Sequence, residues 1–159
     1  VAPPPIYSAL ARAPFWNRLA RAMGMARRAA ARRDGWPTRE AALKAYALKP
    51  VFRDWAPGVL EDYLEDSLRD EQGVVRLACA PAWEAATFAA FANDFWAGLS
   101  AASFDIRVLA SDPASSTAPA GARRRFQRRG AVVEAITGFS HLVPMENPAL
   151  AAAFLGEPS

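Results

Sequence analysis

Two short apolar runs near the C-terminal end limit the folds open to this chain more than any other feature. FDIRVLA (residues 104–110) and AVVEAIT (131–137) are rich in the branched residues that suit strands, and a basic helical stretch from about Ala120 to Arg129 separates them. After the second run come a loop, GFSHLVPMENP, and an apolar helix, ALAAAFLG. This strand, helix, strand, helix order favours a parallel pair joined by a right-handed crossover. In open parallel sheets the loops at the carboxyl ends of strands carry the chemistry. The only histidine of the chain, His141, stands in such a loop, four residues beyond Thr137.

Upstream, the pattern is helical. VAPPPIYS opens the sequence as an extended, proline-bound segment, since each proline fixes its own backbone and steers its predecessor away from the helix. From Phe15 to Arg33 the residues Phe15, Leu19, Ala22, Met23 and Ala26 form one helical stripe. Thr38 is placed to cap a second helix that Pro50 should end, and Glu40 suits its positive terminus. A third helix is expected to carry Val59, Leu60, Tyr63, Leu64 and Leu68 on one side and Glu61, Asp62, Glu65 and Asp66 on the other. Residues 74–79, between Gly73 and Pro81, read as a strand with Cys79 as a small buried hydrophobe. The segment 81–101 reads as a helix with Trp83, Phe88, Phe91, Phe95 and Trp96 as packing residues.

With 159 residues, of which 52% are hydrophobic, the chain has material for a globular core. No apolar run reaches the roughly 18 to 20 residues of a membrane span, and no signal peptide opens the sequence, so a soluble cytoplasmic protein is expected. A single cysteine excludes a disulfide within the chain, and no ligand cluster suggests a metal or other cofactor. The net charge of +3 conceals an uneven distribution, with eight arginines and one acid between Arg12 and Arg39 and an acidic stretch from Glu61 to Glu71. Arg27, Arg28, Arg32 and Arg33, with Arg123 to Arg125, Arg128 and Arg129, could make a nucleic-acid-binding surface. Solvated helix faces explain the same arginines more simply, and no nucleic-acid partner is expected.

The run Gly138, Phe139, Ser140, His141, Leu142, Val143, Pro144, Met145, Glu146, Asn147, Pro148 resembles the histidine loop of α/β-hydrolases, Gly-x-x-His followed by apolar residues, Glu and Pro. RVLASDPASS resembles the strand and loop that carry the triad acid in that family. Asp112 precedes His141 by 141 − 112 = 29 residues, close to the family spacing. The alignment departs from the pattern, because matching Ser111 to the family's glycine puts Ala114 at the usual acid position. The acid is therefore either Asp112 or a carboxylate upstream of Val1.

The resemblance implies the C-terminal part of an α/β-hydrolase fold. Residues 1–13 would be the exit from a core strand, 14–72 a helical cap, and 73–159 the end of a core with a short, mostly parallel sheet flanked by helices. It implies that His141 is the general base of a nucleophile, acid, histidine triad, with Leu142, Val143, Met145 and Trp55 near an apolar ester-like substrate. No Gly-x-Ser-x-Gly elbow occurs in the sequence, so the nucleophile is expected in a missing N-terminal half of the same fold. Alone, the chain should be inactive and prone to aggregate or to bind that half. A non-catalytic relative of the family, used for binding, is the alternative.

Overall fold

The computed structural model describes residues 24–90, 95–112 and 118–156. The chain divides into two compact units, one within residues 3–93 and the other within 94–159.

In the first unit, α1 (Gly24–Ala30) is the described part of the arginine-rich helix; Phe15, Leu19, Ala22 and Met23 of the expected stripe, and Trp16, lie outside the described residues. Ala26 is buried against Ala89 and Phe88, so small side chains bring α1 close to α4 (Pro81–Ala89). Arg32 reaches Glu84 of the same helix at 2.8 Å. The Thr38 side chain accepts the Ala41 N–H at 3.1 Å and caps α2 (Arg39–Ala47) as its position predicts.

The third helix is shorter than expected. α3 (Val59–Ser67) stops before Leu68, and Leu68–Glu71 forms strand β2, which pairs antiparallel with β3 (Val74–Leu77). β1 (Gly35–Trp36) adds to the other side of β3. Gln72 and Gly73, at φ of 50° and 81°, connect β2 to β3, the backbone of a two-residue type I′ hairpin. Leu68 still faces inward, because Trp36, Tyr46, Leu64, Leu68, Val75 and Leu77 belong to one core. Arg39 ties helix to hairpin by donating to the Leu68 carbonyl at 3.2 Å and to Asp70 at 2.9 Å. The hairpin explains why the compact units divide after Asn93 although the sequence changes character at Gly73: β3 finds its partners upstream.

Three further expectations for this region are corrected. Cys79 lies beyond β3 and is exposed, because the strand ends at Leu77. Trp83 is 74% exposed on α4 and is no packing residue. The long helix expected over 81–101 is two described helices, α4 and α5 (Phe95–Ser100), with Phe91 outside the described residues.

The second unit holds the βαβα order that the sequence predicts. β4 (Arg107–Ala110) and β5 (Val132–Ala135) are parallel, with Arg107 opposite Val132 and Ala110 opposite Ala135. The crossover helix α6 (Ala120–Gln127) buries Phe126 against Trp96 and Ala131. Arginines in and just after it are partly used in packing: Arg125 and Arg129 lie over the Trp96 ring at 4.1 and 5.5 Å from its centre. Arg107 pairs with Glu134 at 2.8 Å, and its guanidinium lies 4.4 Å from the Phe154 ring and donates to the Phe154 carbonyl at 3.0 Å. That one side chain fastens α8 (Pro148–Gly156) to the strand pair.

Candidate active site

Both strands of the parallel pair end at the same edge, which delivers Ser111 and Asp112 beside the loop that begins at Thr137. The ladder continues one step past β5, where the Ile136 N–H donates to the Ala110 carbonyl at 2.9 Å. Gly138 then turns the chain at φ of +83°, a conformation that costs side-chain-bearing residues about 1 kcal/mol or more. Its N–H donates to Oδ2 of Asp112 at 2.8 Å, and the Asp112 N–H donates to the Phe139 carbonyl at 3.4 Å. Asp112 thus binds the histidine loop by its carboxylate and its backbone together.

Arg123 of α6 donates to the Ala118 carbonyl at 2.7 Å and to the carbonyl of Ser111, whose side chain is buried. Ala114 lies outside the described residues.

His141 is exposed at the start of the turn before α7 (Val143–Glu146). The Glu146 carboxylate turns back onto the loop: Oε2 accepts the Ser140 N–H at 2.8 Å, and Oε1 accepts the Ser140 hydroxyl. The Ser140 Oγ in turn accepts the Leu142 N–H at 3.1 Å. Asn147 caps the next helix, its Oδ1 accepting the Leu150 N–H at 3.0 Å.

A hollow of about 270 Å³ opens beside the imidazole, lined by His141, Val143, Leu109, Ser111, Phe154 and Leu155 among others. Its lining among the described residues carries no charged side chain other than what His141 can acquire. Of the expected pocket residues, Val143 lines it, whereas Leu142 and Met145 do not. Trp55 belongs to the first unit, edge-on to Phe52 at 4.7 Å and to Tyr63 at 5.6 Å. The contribution of α8 through Phe154 and Leu155 was not read from the sequence; the signal was the apolar character of ALAAAFLG on all its faces.

A larger hollow of about 470 Å³ belongs to the first unit and is lined by Arg39, Glu40, Leu43, Glu61, Leu64 and Leu68 among others. Among the described residues its lining holds no imidazole, hydroxyl or thiol, so volume alone does not mark the candidate site. Among the described residues no group of three histidine, cysteine or acidic side chains is disposed to hold a metal ion. No helix among them is long and apolar enough to cross a membrane.

No family model and no curated protein matches the sequence. Solved structures do resemble it in fold. E-2-(acetamidomethylene)succinate hydrolase superposes with a TM-score of 0.68 over 94% of this chain and 60% of its own, at 14% identity. The peroxisomal α/β-hydrolase Lpx1 of Saccharomyces cerevisiae superposes with a TM-score of 0.66 over 82% of this chain and 37% of its own, at 16% identity. The chain therefore has an α/β-hydrolase fold, as the histidine loop implied, and it spans 60% and 37% of the lengths of these two neighbours. Its helices and small sheets are those of a hydrolase fold represented in part.

Proposed function

We propose that this chain supplies the histidine end of a hydrolase acting on small apolar carboxylic esters or related acyl compounds in the cytoplasm. His141 is the general base, and Asp112 is the triad acid. In the complete protein the imidazole takes the proton of a serine hydroxyl as its oxygen attacks the substrate carbonyl. It then returns that proton to the leaving alkoxide, and water repeats the cycle to free the acid. An imidazole suits both directions because it titrates near neutrality.

The observation that carries this reading is the position of His141, in the loop leaving the carboxyl end of β5 and beside an uncharged hollow, with Asp112 bonded to the same loop at Gly138. An uncharged lining favours a neutral acyl or alkyl group over a charged one. No Gly-x-Ser-x-Gly elbow occurs in these 159 residues, and both neighbours are longer than the span they share with this chain, which supports a nucleophile and oxyanion donors contributed by further sequence and no activity from the 159 residues alone. Residues 14–72 act as the cap.

The test is hydrolysis of p-nitrophenyl acetate and butyrate by the product of the entire reading frame, with and without His141→Ala. The expected outcome is a loss of turnover of roughly 10⁴-fold or more, as for other triads of this logic. Turnover untouched by His141→Ala, or a complete protein that hydrolyses neither ester, overturns the reading. The second of these outcomes favours the non-catalytic relative.

A further inference from the structure

The hollow beside His141 has a second polar feature. Among the described residues that line it, the polar side chains are those of His141 and Ser111, while Leu109, Val143, Phe154 and the others are apolar. Leu109 and Ser111 stand two positions apart at the end of β4, so strand alternation turns both side chains to the same face. The Ser111 backbone is tied on every side. Its carbonyl accepts from Arg123, the Ala110 carbonyl before it accepts the Ile136 N–H at 2.9 Å, and the Asp112 N–H after it donates to the Phe139 carbonyl at 3.4 Å. Its hydroxyl is treated differently: Ser111 is 4% exposed, yet the hydroxyl makes no hydrogen bond among the described residues.

Buried polar groups are as a rule bonded, so an enclosed hydroxyl held on a fixed backbone and left open towards a cavity calls for a partner. The hollow of about 270 Å³ is far larger than the roughly 30 Å³ of one water molecule, so it has room for a chain of several carbons as well as the group that bonds Ser111. That group is neutral, because no charged side chain among the described lining residues compensates an ion. A serine hydroxyl both donates and accepts, which suits a hydroxyl or a carbonyl oxygen. The acyl group stays attached to the nucleophile through both half-reactions, so a contact fixed in the wall acts on it throughout.

We infer that Ser111 is a specificity-determining residue, whose hydroxyl bonds one neutral oxygen on the acyl group that fills the hollow. The favoured substrates are then hydroxyacyl or oxoacyl esters in preference to plain alkanoyl ones. The inference rests on the reading of His141 as general base and narrows the substrate class of the same site.

The experiment uses the product of the entire reading frame and two esters of nearly equal shape, p-nitrophenyl 3-hydroxybutyrate and p-nitrophenyl 3-methylbutyrate, in which a hydroxyl takes the place of a methyl. The readout is the ratio of their kcat/KM values in the parent, in Ser111→Ala and in Ser111→Cys. A displaced base or a smaller folded fraction slows both esters alike and cancels from the ratio. The ratio should fall about five- to tenfold in Ser111→Ala, the worth of one hydrogen bond. It should fall similarly in Ser111→Cys, whose thiol is a weak donor and acceptor. A ratio within about twofold of the parent value overturns the inference, since that is less than one bond contributes. If Ser111→Ala fails to fold, Ser111→Cys decides alone, because it nearly keeps the volume.

Binding of 3-hydroxybutyramide and 3-methylbutyramide to the same proteins, followed by ligand-observed NMR, separates this inference from the catalytic reading. A ratio of dissociation constants that shifts against the hydroxyamide in Ser111→Ala, with neither ester hydrolysed, would keep the role of Ser111 and remove the base. Ester turnover lost in His141→Ala, with an ester ratio indifferent to Ser111, would do the reverse. If neither amide binds and neither ester is hydrolysed, both readings fall.

Discussion

Tyr46 is 1% exposed, and its hydroxyl has no hydrogen-bond partner among the described residues. A buried phenol left in this way costs about 1–3 kcal/mol relative to one that is bonded. Burial raises its pKa above the ordinary 10.0, with Tyr63 and Glu84 adding to the rise and Arg32 opposing it. The sign for stability follows: above pH 10.0 the unfolded phenol loses its proton first, so stability falls with rising pH until the folded phenol ionises as well. Lys49, whose ammonium sits 3.8 Å from the Tyr46 ring centre, works oppositely. Burial lowers its pKa from the ordinary 10.5, helped by Arg32, and stability recovers as pH rises towards that value. Tyr46→Phe isolates the first effect. The variant should match or exceed the parent in urea midpoint at pH 7 and should lose less stability than the parent between pH 9.5 and 11. An alkaline limb identical in both proteins would refute this account of the phenol.

At the scale of elements, what was legible and what was not divide on local geometry. The β4, α6, β5 order could be read because branched residues cluster in FDIRVLA and AVVEAIT and a polar helix lies between them. The hairpin could not, because Leu68 continues the helical stripe of Leu60 and Leu64 and the intervening acids suit an outer helix face. The only local sign was Gln72-Gly73, a weaker turn signal than Asn-Gly. The site divides similarly. His141 was visible because its loop is a contiguous run, whereas the Glu146 to Ser140 bonds span six residues and match no capping-box spacing. The hairpin supports a direct test by urea denaturation. Gly73→Ala should cost about 1–2 kcal/mol from its backbone conformation alone, since a Cβ there meets nothing within 4 Å. Gln72→Asn, at φ of 50°, should instead gain about 0.5 kcal/mol, as asparagine accepts that region more readily. A stabilising Gly73→Ala would contradict the assigned turn.

For the molecule as a whole, the surface of the second unit is the notable property. α8 is apolar around its circumference, yet none of its residues is buried, and Leu155 is 82% exposed. Val132 of β5 is 57% exposed, although parallel strands are ordinarily covered on both faces. Helices of that composition usually sit inside something larger. The 159-residue chain should accordingly self-associate in sedimentation velocity at micromolar concentration, and Leu155→Glu should reduce the associated fraction. A monodisperse monomer with a cooperative melt would rule this out. The bond from Gly138 to Asp112 has a further consequence, for time. Its two ends are 26 residues apart, with the crossover helix between them, and translation at about 5–20 residues per second separates their appearance by roughly 1–5 seconds. Asp112 and the Ser111 carbonyl emerge first and wait on a ribosome-bound chain until β5 arrives and pairs with β4. The histidine loop thus forms only after the crossover has been made, and a pause or a nick within the crossover would leave Asp112 made and His141 unplaced.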